Sequence, residues 1–220
     1  MSRYFLDNRI IESLLIFSVF RAGMAEKEYL LRVDKNDVVI GRAGREECHA
    51  GKGLLHRGLA AVLFAYPGFV LLARRSGGDG NKRLWRGYLD GTVASHTHSE
   101  DETYEAAARV AVERELGAEC DRLELLTKFC YAARFGREGS EREVCGLLVG
   151  KMTNGNIRVN PKYVDGEVSL VSFNELFRDV RGGNNMSSEY TPWFKKAVKI
   201  LGGRERGRLE RTLTRWGFQL

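Results

Sequence analysis

The sequence has little proline, little cysteine and no long apolar run. Three prolines in 220 residues leave helices and strands largely uninterrupted. The four cysteines show no Cys-x-x-Cys spacing, which favours free thiols in a reducing cytoplasm. The most apolar stretch, residues 10–20, is interrupted by Glu12 and Ser13 and is shorter than the roughly 20 residues that span a bilayer. We therefore expect a cytoplasmic protein without stable membrane insertion.

The chain is moderately basic, with no block of one sign of charge. Its 35 Lys and Arg residues exceed its 29 Asp and Glu residues by six. This balance favours an anionic partner, but the two signs are mixed along the chain instead of clustered. A phosphorylated small molecule would satisfy this pattern as well as nucleic acid would.

Hydrophobic periodicity and turn residues predict an α/β (α+β) chain. Residues 1–26 form an N-terminal extension in this interpretation, residues 27–202 a domain of catalytic size, and residues 203–220 a C-terminal helix. Residues 34–37 and the pair Pro67-Gly68 predict hairpin turns, and a capping-box pattern at Ser99–Glu102 predicts a helix that ends at Leu116. The other expected strands are Leu123–Ala132, Val144–Lys151, Ile157–Val159 and Val168–Phe173, and the other expected helices are Asn174–Val180, Thr191–Leu201 and Glu205–Trp216.

Two carboxylates share one face of a predicted strand. In the segment from Glu141 to Val149, side chains two residues apart point the same way, so Glu141 and Glu143 lie on the face that carries Cys145. Burying unpaired carboxylates costs several kcal/mol or more, by order of magnitude, so a cation should meet them. With three histidines they form a set of five potential ligands for one metal ion: His49, His56, His96, Glu141 and Glu143.

Another carboxylate stands out on the helix that ends at Leu116. The apolar stripe of this helix includes Ala108, Ala111 and Val112, and Glu115 falls on the same stripe. Taken alone, Glu115 is also compatible with a solvated residue at a helix end, because Gly117 is an ordinary helix stop.

Six short motifs follow one another along the chain: Trp85-Arg86-Gly87, Ala94-Ser95-His96, Glu115-Leu116-Gly117, Tyr131, Glu141-Arg142-Glu143-Val144 and Thr191-Pro192-Trp193-Phe194. Together and in this order they resemble the type 1 isopentenyl diphosphate isomerases, a branch of the Nudix superfamily. The similarity covers roughly residues 28–201 and implies the Nudix fold, in which a mixed β-sheet core is flanked by helices.

The resemblance also implies roles for individual residues. His49, His56, His96, Glu141 and Glu143 match the ligands of one divalent ion, which would be Mn²⁺, Zn²⁺ or Mg²⁺. Glu115 matches a glutamate that binds a Mg²⁺ ion linked to the substrate diphosphate. Tyr131 and Glu143 match a proton-transferring pair, and Trp193 matches an indole that faces a carbocation. The positions expected to bind the diphosphate are Arg45, Arg75 and Lys82. The implied partner is a small-molecule diphosphate, and no nucleic acid.

The chain departs from the family at two positions. Ala94 stands where the family carries its other proton-transfer residue, a cysteine two positions before the third metal histidine. A methyl group cannot move a proton, and an antarafacial allylic shift needs an acid or base on each face of the double bond. Ser95, Thr97 and His98 are candidate substitutes, and His98 has the most suitable pKa. Ala111 replaces an arginine that binds the diphosphate in the family.

Three functions are compatible with these residues. The first is a metal-dependent enzyme that acts on isopentenyl or dimethylallyl diphosphate by proton transfer. The second is a Nudix-type hydrolase of a diphosphate linkage. Its signature of Arg-Glu followed, after two residues, by Glu-Glu falls on Val110-Ala111 and Arg114-Glu115, and three of these four positions differ. The third is a non-catalytic binder of prenyl diphosphates, with which Ala94 is compatible.

Overall fold

One mixed β-sheet organises the described part of this computed structural model, which comprises residues 28–77, 84–153, 157–166, 168–182 and 188–220. Within these ranges the strands are β1 Tyr29–Val33, β2 Val39–Gly44, β3 His56–Tyr66, β4 Phe69–Arg74, β5 Leu89–Gly91, β6 Val93–His96, β7 Cys120–Phe135, β8 Gly139–Met152 and β9 Ser169–Ser172. The helices are α1 Arg45–His49, α2 Tyr104–Leu116, α3 Phe173–Gly182, α4 Pro192–Gly202 and α5 Arg206–Arg215.

Strand β3 lies at the centre of the sheet and sets the register of the neighbouring strands. It pairs antiparallel with β1, β4 and β6 and parallel with β8, while β7 pairs antiparallel with β8. His56 is registered with Glu143, and Glu143 with Tyr131 on β7. On the other side of β3, Gly58 is registered with His96. Residues far apart in sequence therefore meet at one end of the sheet.

Hydrophobic cores form on both faces of the sheet. Helices α3, α4 and α5 pack on one face, where Val62, Leu72 and Leu147 are buried together with Phe194 and Leu213. Helix α2 packs on the other face against alternate residues of the same strands. The period-2 alternation of β3 supplies both cores, because neighbouring residues in a strand point to opposite faces. The resulting arrangement of helices around a mixed sheet confirms the predicted fold class.

Both predicted hairpins are confirmed. Strands β1 and β2 pair antiparallel around the 34–37 turn, where Asp34 Oδ1 accepts hydrogen bonds from the backbone N–H groups of Asn36 and Val38. Such side-chain bonds explain why aspartate favours this position. Strands β3 and β4 pair in the same way around Pro67-Gly68. The long strands β7 and β8 contain the segments expected at Leu123–Ala132 and Val144–Lys151.

Two local predictions were wrong. Ile157–Val159 is not a strand, because this segment covers the end of α2: Arg158 N–H donates to Leu116 O and Asn160 N–H to Glu115 O. The last carbonyl groups of a helix have no partner within the helix and need such hydrogen bonds. In this segment the backbone N–H groups therefore bond to the helix end instead of to a neighbouring strand. Helix α2 begins at Tyr104 and not at the Ser99–Glu102 pattern, since the Thr103 side chain is the N-cap and accepts from Ala106 N–H.

Some predicted features fall outside the described residues. The extension over residues 1–26 and the candidate diphosphate ligand Lys82 both lie there. Among the helices that are described, none combines the length and the apolar character required to cross a membrane. Helix α5 packs on the main core through Leu209 and Leu213, and the division at residue 203 stays a prediction.

Candidate active site

Three histidines from separate elements point their Nε2 atoms at one another. His49 ends the short helix α1, His56 begins β3 and His96 ends β6. Their ring centroids lie 4.8 to 5.6 Å apart. All three Nε2 atoms are buried without a hydrogen-bond partner among the described residues. Such orphaned polar atoms are rare in folded proteins and call for a ligand.

The two carboxylates of β8 complete this group. Glu141 Oε2 lies 3.0 Å from His49 Nε2 and 3.8 Å from His56 Nε2. Glu143 Oε1 lies 3.6 Å from His56 Nε2 and 3.2 Å from His96 Nε2. The ligand atoms of Glu141 and the three histidines all lie within 4.8 Å of one another.

This donor set fits a divalent ion. Imidazole nitrogens and carboxylate oxygens suit several such ions, including Mn²⁺ and Zn²⁺. His49 Nδ1 lies 2.7 Å from Arg45 O, and His56 Nδ1 lies 2.8 Å from Leu54 O. A carbonyl can only accept, so each Nδ1 carries the proton and each Nε2 lone pair is available to a metal. The structure therefore brings together the five residues that the sequence suggested, as a metal site would require.

His96 differs from the other two histidines. Its Nδ1 lies 3.3 Å from Arg45 Nη1, and a guanidinium can only donate. In this state Nδ1 accepts and the imidazole proton belongs on Nε2, beside Glu143. Burial, with Arg45 and the two other histidines nearby, lowers the pKa of His96 well below its usual value, so the ring is neutral near pH 7. Coordination through Nε2 would place the proton on Nδ1, so this contact with Arg45 must then change.

Gly58 makes room for the Glu143 carboxylate. A Cβ atom at this position would lie 2.1 Å from Glu143 Oε2 and 2.2 Å from its Cδ. Real side chains do not approach so closely, so any residue other than glycine at position 58 would displace the Glu143 carboxylate. A glycine inside a strand is unusual and often marks such a close approach. Gly58 was not among the residues predicted from the sequence, although a glycine within a strand was the available signal.

Tyr131 connects the metal-binding group to the adjoining cavity. Its hydroxyl donates to Glu143 Oε2 at 2.9 Å, while the other oxygen of that carboxylate faces the histidines. Burial, reinforced by the nearby Glu143, raises the pKa of Tyr131 well above its usual value. The hydroxyl therefore stays protonated near neutral pH and remains a proton donor.

A cavity that is partly open to solvent adjoins these residues. Glu115, which is fully buried on α2, lines it together with Ala94 on β6 and Trp193 on α4. The position of Glu115 confirms that this carboxylate falls on the buried side of the helix, and it excludes the alternative of a solvated helix-end residue. The other lining residues are Glu28, Arg45, Arg75, Ser95, His96, Arg114, Tyr131, Glu141, Glu143 and Tyr163.

The predicted diphosphate-binding positions have different surroundings. Arg45 is partly exposed and donates to Glu28 at 3.1 Å. Arg75 is only 5% exposed, and it donates to Asp90 Oδ2 at 3.1 Å and to the carbonyl of Leu84. The Arg75 charge is therefore already compensated by a buried carboxylate.

Asp90 also holds the indole of Trp193. Asp90 is 1% exposed, and its Oδ1 accepts from Trp193 Nε1 at 2.9 Å and from Thr191 Oγ1 at 3.1 Å. The Arg75 guanidinium lies 4.9 Å from the centre of the Trp193 ring. Asp90 was not among the residues predicted from the sequence. Two signals in the sequence could have indicated it. Asp90 is an acidic residue in the short apolar segment around Leu89, and a buried arginine needs a counter-ion.

The three proposed substitutes for the missing cysteine are poorly placed. The Ser95 hydroxyl accepts from Arg114 Nη2 at 3.2 Å, on the side facing α2. Thr97 is fully buried and does not line the cavity. His98 also does not line it, and its ring lies 3.9 Å from Glu28. None of them stands in for a thiol at Ala94 in this structure.

Sequence similarity relates the chain to known proteins. The NUDIX domain family matches residues 54–194. An isopentenyl-diphosphate Delta-isomerase of Halobacterium salinarum is 34% identical over 173 residues, covering 77% of this chain and 78% of the relative. A Haloarcula marismortui protein of the same name is 32% identical and covers 79% and 90%. The isopentenyl-diphosphate delta-isomerase 2 of Homo sapiens is 30% identical and covers 86% and 84%.

Solved structures with a similar fold include a Deinococcus radiodurans protein, with a TM-score of 0.58 and 20% identity over 78% of this chain and 98% of that one. A MutT protein from Methanosarcina mazei has a TM-score of 0.51 at 16% identity and covers 69% and 95%. These likenesses define the class of fold, which is that of the Nudix proteins. Together with the sequence relatives, they show that the chain belongs to the Nudix family and, within it, to the isopentenyl-diphosphate delta-isomerases.

Proposed function

We propose that this protein is a metal-dependent enzyme that interconverts isopentenyl and dimethylallyl diphosphate by proton transfer. The observation that carries the proposal is the double contact of Glu143. One oxygen faces His56 and His96, and the other accepts from Tyr131. A carboxylate held between a metal-binding group and a buried tyrosine hydroxyl is suited to moving a proton at the wall of the adjoining cavity.

Two metal positions would support this chemistry. Mn²⁺, Zn²⁺ or Mg²⁺ would be held by His49, His56, His96, Glu141 and Glu143. Glu115 would take one coordination position of a Mg²⁺ ion whose other ligands are water and the diphosphate, since Mg²⁺ retains several waters and binds few carboxylates. When bound, these ions offset the charges of the buried carboxylates and of the diphosphate.

The reaction needs one proton gained and one lost. A proton added to the terminal CH₂ carbon of isopentenyl diphosphate gives a tertiary carbocation, and loss of a proton from C2 gives dimethylallyl diphosphate. Tyr131 and Glu143 would transfer the proton on their side of the substrate. The Trp193 ring would face the cation, and the Asp90 carboxylate at its N–H fixes the ring orientation and favours positive charge near the ring.

On the side of Ala94, we propose that a water molecule in the cavity carries the second proton. Proton transfer through one water is compatible with general acid–base catalysis. The reaction would then be slower than with a positioned thiol, because the water is held less firmly. The balance of atoms is unchanged, since one proton enters the substrate and one returns to solvent.

A binder of prenyl diphosphates without turnover is the second candidate, and Ala94 is the observation that favours it. A hydrolase is less well supported. Ala111 and Arg114 stand where the signature has two of its three glutamates, so neither position supplies a carboxylate beside Glu115.

The test is incubation of metal-loaded protein with isopentenyl diphosphate in deuterated water, followed by mass spectrometry and phosphorus NMR. Deuterated dimethylallyl diphosphate is expected, and none should form after the metal is removed by a chelator. Tyr131→Phe should slow deuterium incorporation while retaining the bound metal. Release of phosphate would instead identify a hydrolase, and unchanged substrate with measurable binding would identify a non-catalytic binder.

A further inference from the structure

The diphosphate group needs cationic partners that the family pattern does not fully supply here. Arg75 is compensated by the buried Asp90, and Arg45 is paired with Glu28. Ala111, at the position of the family's arginine, is fully buried in the core beneath α2, together with Leu59. A longer side chain at Ala111 would have to displace that core. Among the described residues, a further cation beside the proposed Mg²⁺ ion would therefore favour an anionic group in this cavity.

Arg114 lies on α2, as Ala111 does, and its side chain is at the wall of the cavity. It precedes Glu115 in the last turn of α2, and its side chain lines the cavity with one third of its surface exposed. Its Nη2 lies 2.9 Å from Glu115 Oε1. Arg114 is therefore paired with a carboxylate, as Arg45 and Arg75 are, but its partner is the proposed Mg²⁺ ligand. A Mg²⁺ ion on Glu115 would compensate that carboxylate and bring the diphosphate close to this guanidinium.

The Arg114 guanidinium is held in position but retains an unused donor. The Ser95 hydroxyl accepts from Nη2 at 3.2 Å, and the guanidinium lies over the Tyr163 ring at 4.9 Å from its centre. The Nε–H is buried without a hydrogen-bond partner among the described residues. An unsatisfied buried donor costs roughly 1–3 kcal/mol, so the guanidinium would gain by turning this N–H toward a phosphate oxygen.

We propose that Arg114 binds the diphosphate of the substrate and takes over the work of the arginine that is missing at position 111. Arginine suits this task because its planar group donates two parallel hydrogen bonds to phosphate oxygens. Ser95 and Tyr163 hold the guanidinium ready, so little side-chain freedom is lost on binding. This inference rests on the proposed diphosphate substrate and identifies Arg114 as a residue that binds the diphosphate group.

Binding of inorganic pyrophosphate in the presence of Mg²⁺ tests the proposal directly, using calorimetry on the full chain. Arg114→Gln should weaken binding about 10- to 100-fold, the usual range for a hydrogen bond to a charged group. Arg114→Lys should lie between this variant and the natural protein, because it retains the charge but not the planar fork. Ser95→Ala should have a smaller effect of the same sign. The Mn²⁺ content of the histidine site should stay unchanged in all three.

The matched control is Arg109→Gln, which removes the same charge from the same helix. Arg109 donates to the carbonyl of Cys120, and its side chain does not line the cavity. Its pyrophosphate affinity should equal that of the natural protein. In the isomerase assay, Arg114→Gln should raise KM more than it lowers kcat, because an interaction common to substrate and transition state is lost.

Equal pyrophosphate affinity in Arg114→Gln and the natural protein would overturn the proposal. So would a natural protein that does not bind pyrophosphate at all. Thermal unfolding of Arg114→Gln serves to separate misfolding from loss of a ligand contact, and Arg114→Lys provides a second variant with the charge preserved. If the natural protein binds pyrophosphate through Arg114 but forms no dimethylallyl diphosphate, only the proposed reaction fails and the diphosphate site stands.

Discussion

Ala94→Cys should increase isomerase activity, because it supplies a proton carrier at the wall of the cavity. Ala94 lies on β6 two residues before His96, so both side chains project from the same face of the sheet. It lines the cavity and is only partly buried. The new sulfur atom would extend into this cavity, so the substitution requires no rearrangement of the backbone.

The size of the effect follows from the chemistry of the thiol. A positioned general acid or base typically contributes about 10²- to 10⁴-fold in rate, or about 3–5 kcal/mol in activation free energy. A thiol with an ordinary pKa near 8.5 can both donate and accept a proton around neutral pH. If a water molecule performs part of this work in the natural protein, as proposed, the increase should be about 10²-fold, at the lower end of that range.

The assay is deuterium incorporation from deuterated water into dimethylallyl diphosphate at saturating substrate. Ala94→Ser is the matched control, because it adds a side chain of similar size whose hydroxyl is a poor acid near neutral pH. It should leave the rate close to that of the natural protein. If Ala94→Cys shows no gain while pyrophosphate still binds, the pocket has been reshaped for another substrate and the reasoning is refuted.

Two further predictions concern carboxylates. Glu115→Gln should weaken pyrophosphate affinity in Mg²⁺ while leaving the metal content of the histidine site unchanged, and equal affinity would remove its proposed role. Asp37→Asn should lower the free energy of unfolding by about 1–3 kcal/mol at pH 7, because it removes the charge of a buried carboxylate that accepts from Arg57, Tyr104 and the partly exposed Lys128. Although burial alone would raise it, hydrogen bonds from Lys128, Arg57 and Tyr104 lower the pKa of Asp37 below its ordinary value. The stabilisation is therefore present above about pH 4 and is lost as the pH falls through the folded-state pKa, which urea titrations at pH 7 and pH 3 would reveal.

Periodicity predicted much of the site because its key side chains follow regular spacing. The alternation of β8 placed Glu141 and Glu143 on one face, and the helical stripe of α2 placed Glu115 toward the protein interior. Both patterns depend only on local backbone geometry, which short stretches of sequence specify well. The three histidines were predicted only as potential ligands of the same ion, because no local pattern places residues so far apart in sequence at one point.

Contacts that depend on long-range packing were harder to predict. The pairing of Arg75 with Asp90 joins two strands through the register of β4 and β5, and the sequence contains no periodic sign of it. The Ile157–Val159 segment alternates like a strand, yet it supplies partners to the last carbonyls of α2. Local propensity is a weak prior wherever such tertiary hydrogen bonds compete with it.

The positions at which this chain departs from the family indicate that the metal-binding group has a stabilising role separate from catalysis. The departures from the family lie at Ala94 and Ala111, while all five potential metal ligands are present and converge. Three histidine Nε2 atoms and Glu141 Oε2 are buried without hydrogen-bond partners among the described residues. Each such atom costs roughly 1–3 kcal/mol when unsatisfied, a total comparable with the stability of a whole domain. A bound divalent ion would offset this cost. Metal loading should therefore stabilise the fold even in variants that have no activity.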